Sequence, residues 1–145
     1  MPLTFKSNYD DEKIRFRTSG SPYAATFRYS KNGGEWQDYT MGTIIELSSG
    51  ETVAFSGANE HLSKAKNDYY YFSTSGTNAG IEIYGNIASL VNFASSVADN
   101  WEFNRLFYYN WQWSDASNLI IPFTDITENC FRNTFAESKC LTAAP

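Results

Sequence analysis

Lys13-Ile14-Arg15-Phe16-Arg17 alternates cation and apolar residue without a break, and this period of two most narrows the folds open to the chain. Similar short runs fill the stretch from Leu3 to about Tyr84, parted by turn signals every eight to twelve residues, as in a sandwich or barrel. Ile14 and Phe16 are expected to face inward with three cations outward, a basic edge that also guards against sheet-to-sheet aggregation. Ala25, Phe27 and Tyr29 share one face of the next strand, and Asn32-Gly33 supplies the positive φ angles of a tight hairpin leading to Trp36–Tyr39. Thr43–Leu47 and Thr52–Ser56 are expected to form a second hairpin across Ser48-Ser49-Gly50. Aromatic residues make up 17% of the chain, which favours strands over helices.

The polar stretch Ala58–Asp68 holds the single histidine, His61, and reads as a contact loop with an exposed His rather than a catalytic base. Tyr69-Tyr70-Tyr71-Phe72 is a strand with aromatics on both faces, one in the core and the other either under a loop or forming a platform for a sugar. Ile81 and Ile83 point inward on the following strand, with Glu82 and Tyr84 opposite. At Gly85-Asn86 the period changes. Asn86 can cap a helix over Ile87–Phe93 whose face is Ile87, Leu90, Val91 and Ala94.

Beyond Asp99, Phe103-Asn104-Arg105-Leu106-Phe107 and Phe131-Arg132-Asn133-Thr134-Phe135 share an F-x-x-x-F frame that sets both rings on one helical face. Each is followed by an apolar segment ending in proline, Pro122 or Pro145. The prolines lie 23 residues apart and the phenylalanine pairs 28, so the first unit is expected to carry about five extra residues in Asn110–Ser117. A period near 23 lies in the leucine-rich-repeat range, and two such units need docking onto the β module or further repeats.

Cys130, Phe131, Phe135, Leu141, Ala144 and Pro145 match a repeat of the form C-[YF]-x-x-M-F-x-x-C-x-x-L-x-x-A-P, and the segment resembles the unit of BspA-like leucine-rich-repeat proteins of gut Bacteroidetes and their phages. Thr134 replaces the family Met and Ser138 the second Cys, with Cys140 shifted by two, so no family cysteine pairing carries over. Upstream, Pro2–Phe5, Tyr29–Thr40 and Gly85–Leu90 are similar to the β module that often precedes such repeats. The resemblance implies an outward-facing, non-enzymatic protein of attachment or recognition, and it supplies no catalytic residue. The expected fold class is mainly β: a β-sandwich-like module (1–84), a short connecting helix (85–98) and one or two leucine-rich-repeat-like units (99–145). The repeat frame is Phe103, Phe107, Pro122, Phe131, Phe135, Leu141 and Pro145.

Other chemistries are disfavoured on composition. A net charge of −5, from 11 basic and 16 acidic residues, argues against a phosphate-binding surface and so against nucleic acid. One His and two Cys fall short of a zinc ligand set, so no metal or other cofactor is expected. Asp10-Asp11-Glu12 lacks the alternating oxygens of a calcium loop and reads as a solvated turn. No nucleophile, P-loop or dinucleotide motif is present, so no enzyme activity is expected. No apolar run approaches 18 residues, which argues against membrane insertion, and the start lacks a signal-peptide pattern.

Tyr108, Tyr109, Trp111 and Trp113 are the candidate contact surface, because Trp and Tyr bury much area at little entropic cost and stack on sugars. The same rings could instead seal the junction between the β module and the repeats. The role expected is structural attachment to a host cell or partner protein, in a phage virion (tail, fibre or capsid decoration) or a bacterial surface adhesin. A carbohydrate-binding module is the rival reading. Met1 running directly into strand residues favours the virion setting, and the stop at Pro145 leads us to expect a covered solenoid edge. No heptad or trimer signal is visible, and homo-oligomerisation stays open.

Overall fold

In a computed structural model, which describes residues 1–91 and 97–145, the chain is mainly β. Among the described residues, eleven strands run β1 (Leu3–Ser7), β2 (Glu12–Ser19), β3 (Phe27–Lys31), β4 (Gln37–Tyr39), β5 (Ile45–Leu47), β6 (Thr52–Ser56), β7 (Tyr69–Ser75), β8 (Ile81–Asn86), β9 (Val97–Ala98), β10 (Trp113–Ile120) and β11 (Asp125–Ile126). They form a six-stranded sheet in the order β10-β8-β1-β6-β3-β4, a three-stranded sheet β5-β2-β7 and a small pair β11-β9. The period of two holds: Ile14 and Phe16 on β2, Tyr70 and Phe72 on β7, and Ile81 and Ile83 on β8 are buried.

The two larger sheets meet through aromatic rings. Phe16 and Phe72 stack at 4.1 Å and 6°, Phe5 of β1 sits 4.6 Å from Phe72, and Phe27 lies 4.6 Å from Phe16. Trp113 stacks on Phe5 at 5.5 Å, which brings β10 into the same core. The hairpin at Asn32-Gly33 forms as expected, with φ of 54° and 69° at those residues and β3 antiparallel to β4.

The second expected hairpin does not form. β5 pairs with β2 in one sheet, whereas β6 pairs with β1 and β3 in the other, so Ser48–Glu51 carries the chain across the core. Ile45 and Leu47, like Val53 and Phe55, point inward, and that alternation is the same for a hairpin and for a strand pair facing across a sandwich. Glu51 holds this crossing. Its carboxylate accepts from the Ser48 amide (2.8 Å) and from Asn32 Nδ2 (2.6 Å), with Lys31 Nζ at 3.5 Å.

The expected helix is also replaced. Ile87–Leu90 forms a single 3₁₀ turn, capped as foreseen by Asn86, whose side chain accepts from the Ala88 amide, and ended at Val91 in extended backbone. All four residues are buried, and Ser89 Oγ donates to the Phe55 carbonyl while accepting from the Leu3 amide, so the turn closes the sandwich rather than lying on it. The rest of the predicted helical segment, including Ala94, lies outside the described residues. Just before it, Gly85 adopts φ +81°, and a Cβ there would fall 2.0 Å from the Pro2 carbonyl oxygen.

Residues 99–110 and 127–138 are runs of turns, not helices. In the first, the amides of Glu102, Asn104, Leu106 and Tyr108 each donate to the carbonyl three residues back. The intervening amides of Phe103, Arg105, Phe107 and Tyr109 donate at 2.8–2.9 Å to Cys130, Arg132, Thr134 and Ala136 of the second run. Positive φ recurs every fourth residue, at Trp101, Arg105 and Tyr109 and again at Asn129, Asn133 and Glu137. A four-residue cycle keeps i and i+4 on one side, which is why the F-x-x-x-F spacing mimicked a helix. Phe103 stacks on Phe131 at 5.2 Å and Phe107 on Phe135 at 5.1 Å.

The same 28-residue offset continues in the Asp115–Ala143 bridge and in β9 against β11 (Val97 with Asp125). The register of the phenylalanines therefore continues to Asp115, inside the stretch Asn110–Ser117 where an insertion was expected. The proline frame does not match it: Pro122 and Pro145, both exposed, occupy non-equivalent places. Cys130 and Cys140 are both free thiols.

Two outcomes follow from this packing. Phe72→Ala, which vacates contacts with Phe5, Phe16, Phe55 and Phe107, should cost about 3–5 kcal/mol in urea unfolding. The Ser48 amide, then Asn32 and Lys31, hold the Glu51 carboxyl at about 2, below its ordinary 4.5. Its stabilising effect is thus present above pH 4.5 and lost as pH falls toward 2, and Glu51→Gln should flatten that part of an acid-unfolding curve.

Candidate functional site

The outer face of the three-stranded sheet carries the aromatic residues that alternation pushes out of the core. Tyr69 and Tyr71 of β7 lie there, 5.5 Å apart, and the β2–β7 register sets Arg17 opposite Tyr71 with its guanidinium 5.6 Å from that ring. The free edge of β7 would be an open row of amides and carbonyls. The first turn run covers it. The Phe72 amide donates to the Leu106 carbonyl (2.8 Å), and Asn110 Nδ2 donates to the Phe72 carbonyl (2.7 Å). Asn110 Oδ1 also accepts from the Thr74 amide and hydroxyl.

This docking brings Tyr108 and Tyr109 beside Tyr69 and Tyr71. Together with Arg17, Ser73 and Asn110 they enclose a hollow of about 300 Å³. Arg105 lies against two of these rings, its guanidinium 5.3 Å from Tyr69 and 5.0 Å from Tyr108. Among the described residues, neither Arg17 nor Arg105 has a carboxylate within salt-bridge reach, and Arg105 Nε is buried with no hydrogen-bond partner. Two cations held over tyrosine faces, with donors to spare, give a surface suited to an anionic group beside an apolar ring.

Of the four contact residues expected from sequence, Tyr108 and Tyr109 line this hollow, and Tyr109 is 70% exposed. Trp111, 43% exposed, stands on the other side of Tyr109, in a hollow of about 140 Å³ shared with Glu137 and Lys139. Trp113 is not at the surface: it is 0% exposed and its Nε1 donates to the Phe107 carbonyl at 2.9 Å. It belongs to the junction seal. Phe103 and Phe107 are fully buried, and Phe131, Phe135 and Leu141 pack partly buried against the core.

Arg17 reads in the sequence only as one solvated cation of an alternating strand, and Arg105 as a spacer between two phenylalanines. No local signal joins them, because the groove is made by pairing between β2, β7 and residue 105 of a distant turn. A wider hollow of about 510 Å³ beside β8 is bordered by Lys6 and Glu82, which already pair with each other at 3.8 Å. It gathers no comparable ring cluster.

One carboxylate departs from its expected setting, and another meets the single histidine. Glu12 is fully buried rather than solvated, with Oε1 accepting from the Asn78 amide, and burial raises its pKa. His61 sits against the turn at Asp99–Glu102, with Nδ1 2.9 Å from Asp99 Oδ2 and 3.6 Å from Glu102 Oε2. Burial pushes the Glu102 carboxyl up to about 6, against the Leu62 amide and His61, which hold it down.

No protein-family profile, curated protein or solved structure matches this chain.

The different surroundings of two neighbouring rings can be separated by substitution. Trp113→Ala should lose about 3–5 kcal/mol of stability in denaturant unfolding, whereas Tyr109→Ala should stay within about 0.5 kcal/mol of the parent.

Proposed function

We propose that this chain is a non-enzymatic attachment module of an outward-facing protein, in a phage virion or on a bacterial surface, and that it recognises an acidic glycan through the tyrosine–arginine groove. The observation that carries this reading is the convergence of Tyr69, Tyr71, Tyr108 and Tyr109 with two arginines that, among the described residues, have no carboxylate partner. Tyrosine presents a rigid apolar face to the C–H side of a sugar ring at low entropic cost. A guanidinium offers paired donors to a carboxylate substituent, so an acidic sugar satisfies both features and a neutral one only the first. A hollow of about 300 Å³ suits an epitope of one or two rings.

Within this reading, residues 99–145 are two leucine-rich-repeat-like units stacked at a 28-residue spacing on a sandwich-like module, 1–84. The amide ladder between the turn runs and the two stacked phenylalanine pairs support it, as does the repeat-like pattern from Cys130 to Pro145. The first unit then has a plain task, which is to hold Tyr108 and Tyr109 against the sheet. A second reading, contact with a protein partner, draws on Trp111 and Tyr109 flanked by Glu137 and Lys139, an aromatic pair with a polar rim of both charges. Among the described residues no helix is long and apolar enough to cross a membrane.

An array of neutral and acidic glycans tests this directly. Acidic members should be retained, and Tyr71→Ala or Arg17→Gln should each weaken binding at least about tenfold, while Trp111→Ala leaves it unchanged. A blank array, or retention unaffected by Tyr71→Ala, would sink the glycan reading. Loss confined to Trp111→Ala would move recognition to the other hollow.

A further inference from the structure

His61, Asp99 and Glu102 come from two distant segments, and their potential ligand atoms all lie within 4.8 Å of one another. A tetrahedral zinc ion with nitrogen and oxygen ligands at about 2.0–2.2 Å holds neighbouring ligand atoms about 3.3–3.6 Å apart. The two measured separations here, 2.9 and 3.6 Å, bracket that spacing. The carboxylates are presented together because the Glu102 amide donates to the Asp99 carbonyl, closing a turn that sets both side chains on the same side as His61. The Leu62 amide donates to Glu102 Oε1 at 2.6 Å, which fixes the orientation of the carboxylate and leaves Oε2 toward the imidazole.

Charge points the same way. The Glu102 side chain is only 5% exposed, yet it shares its site with a second carboxylate. A divalent cation would neutralise the formal charge of those two carboxylates. We propose that His61 Nδ1, Asp99 and Glu102 Oε2 form a three-ligand site for a zinc-class divalent cation, with the fourth position open to water. The bound ion ties the long Ala58–Asp68 loop to the first turn run. One imidazole nitrogen selects zinc, nickel or copper over magnesium and calcium, which prefer all-oxygen shells. This site is separate from the groove and does not depend on the glycan reading.

Because His61 is the single histidine, its imidazole gives one set of nitrogen resonances. Titrating the full chain with zinc chloride, in a Cys140→Ser background that removes the partly exposed thiol, should move the Nδ1 resonance and raise the melting temperature with zinc concentration. Magnesium chloride at the same concentration should do neither. His61→Ala and Asp99→Asn should each weaken zinc binding at least about tenfold. Asp99→Asn is the cleaner variant, since that side chain is 51% exposed and Glu102 also receives the Leu62 amide. An imidazole that ignores zinc, binding unchanged by His61→Ala, or binding lost with Cys140→Ser alone would each overturn the proposal.

Discussion

A column of phenylalanine rings holds this molecule together. Phe27, Phe16, Phe72, Phe107 and Phe135 follow one another at 4.6, 4.1, 6.0 and 5.1 Å. The first comes from the six-stranded sheet, the next two from the three-stranded sheet and the last two from the turn runs. Each contact adds about 0.5–1.5 kcal/mol beyond the area it buries, but position matters more than magnitude. Phe107 is fixed by the column, so Tyr108 and Tyr109, the next two residues, are delivered to the rim of β7. The proposed recognition surface thus depends on packing in the interior.

The turn runs answer a harder problem, which is how irregular backbone satisfies its hydrogen bonds without helix or sheet. Alternate amides divide the work between the local turn and the neighbouring run. The cycle demands a left-handed residue every fourth position, and asparagine at 129 and 133 accepts this readily. Trp101, Arg105 and Tyr109 do not, and each such placement costs on the order of 1 kcal/mol. Tyr109 lines the groove, and Arg105 lies against two of its rings. The strain in the first run therefore falls partly where the proposed ligand would bind, and the column and the amide ladder hold it in place.

Much of the sandwich could be read from local pattern. Ile14, Phe16, Phe72, Ile81 and Ile83 face inward because a period of two admits no other burial, and Asn32-Gly33 announces its own turn. What local pattern could not carry was partnership. The Thr43–Leu47 and Thr52–Ser56 runs were equally compatible with one sheet or two. The spacing of Phe103 and Phe107 fitted a helix because a four-residue turn cycle and a helical turn give nearly the same side-chain register. Of the two spacings read in the sequence, 23 and 28, the structure pairs the two turn runs at 28, through stacked rings and an amide ladder, while Pro122 and Pro145 are exposed. Arg17, Arg105, Asp99 and Glu102 had no local mark, being assembled only by long-range pairing.

β1 lies in the interior of the larger sheet, flanked by β6 and β8, with β10 running parallel to β8 beyond them. A nascent chain therefore presents Leu3 and Phe5 with no lasting partner until residues 52–56 arrive, and one edge stays unpaired until 81–86 follow. Non-local pairing of this kind folds slowly, because the entropy of closing long loops is spent before the contacts form. The close approach of the Pro2 carbonyl oxygen to Gly85 belongs to that closure. Emergence from the ribosome, rather than the finished fold, is where this chain is most exposed to misassociation.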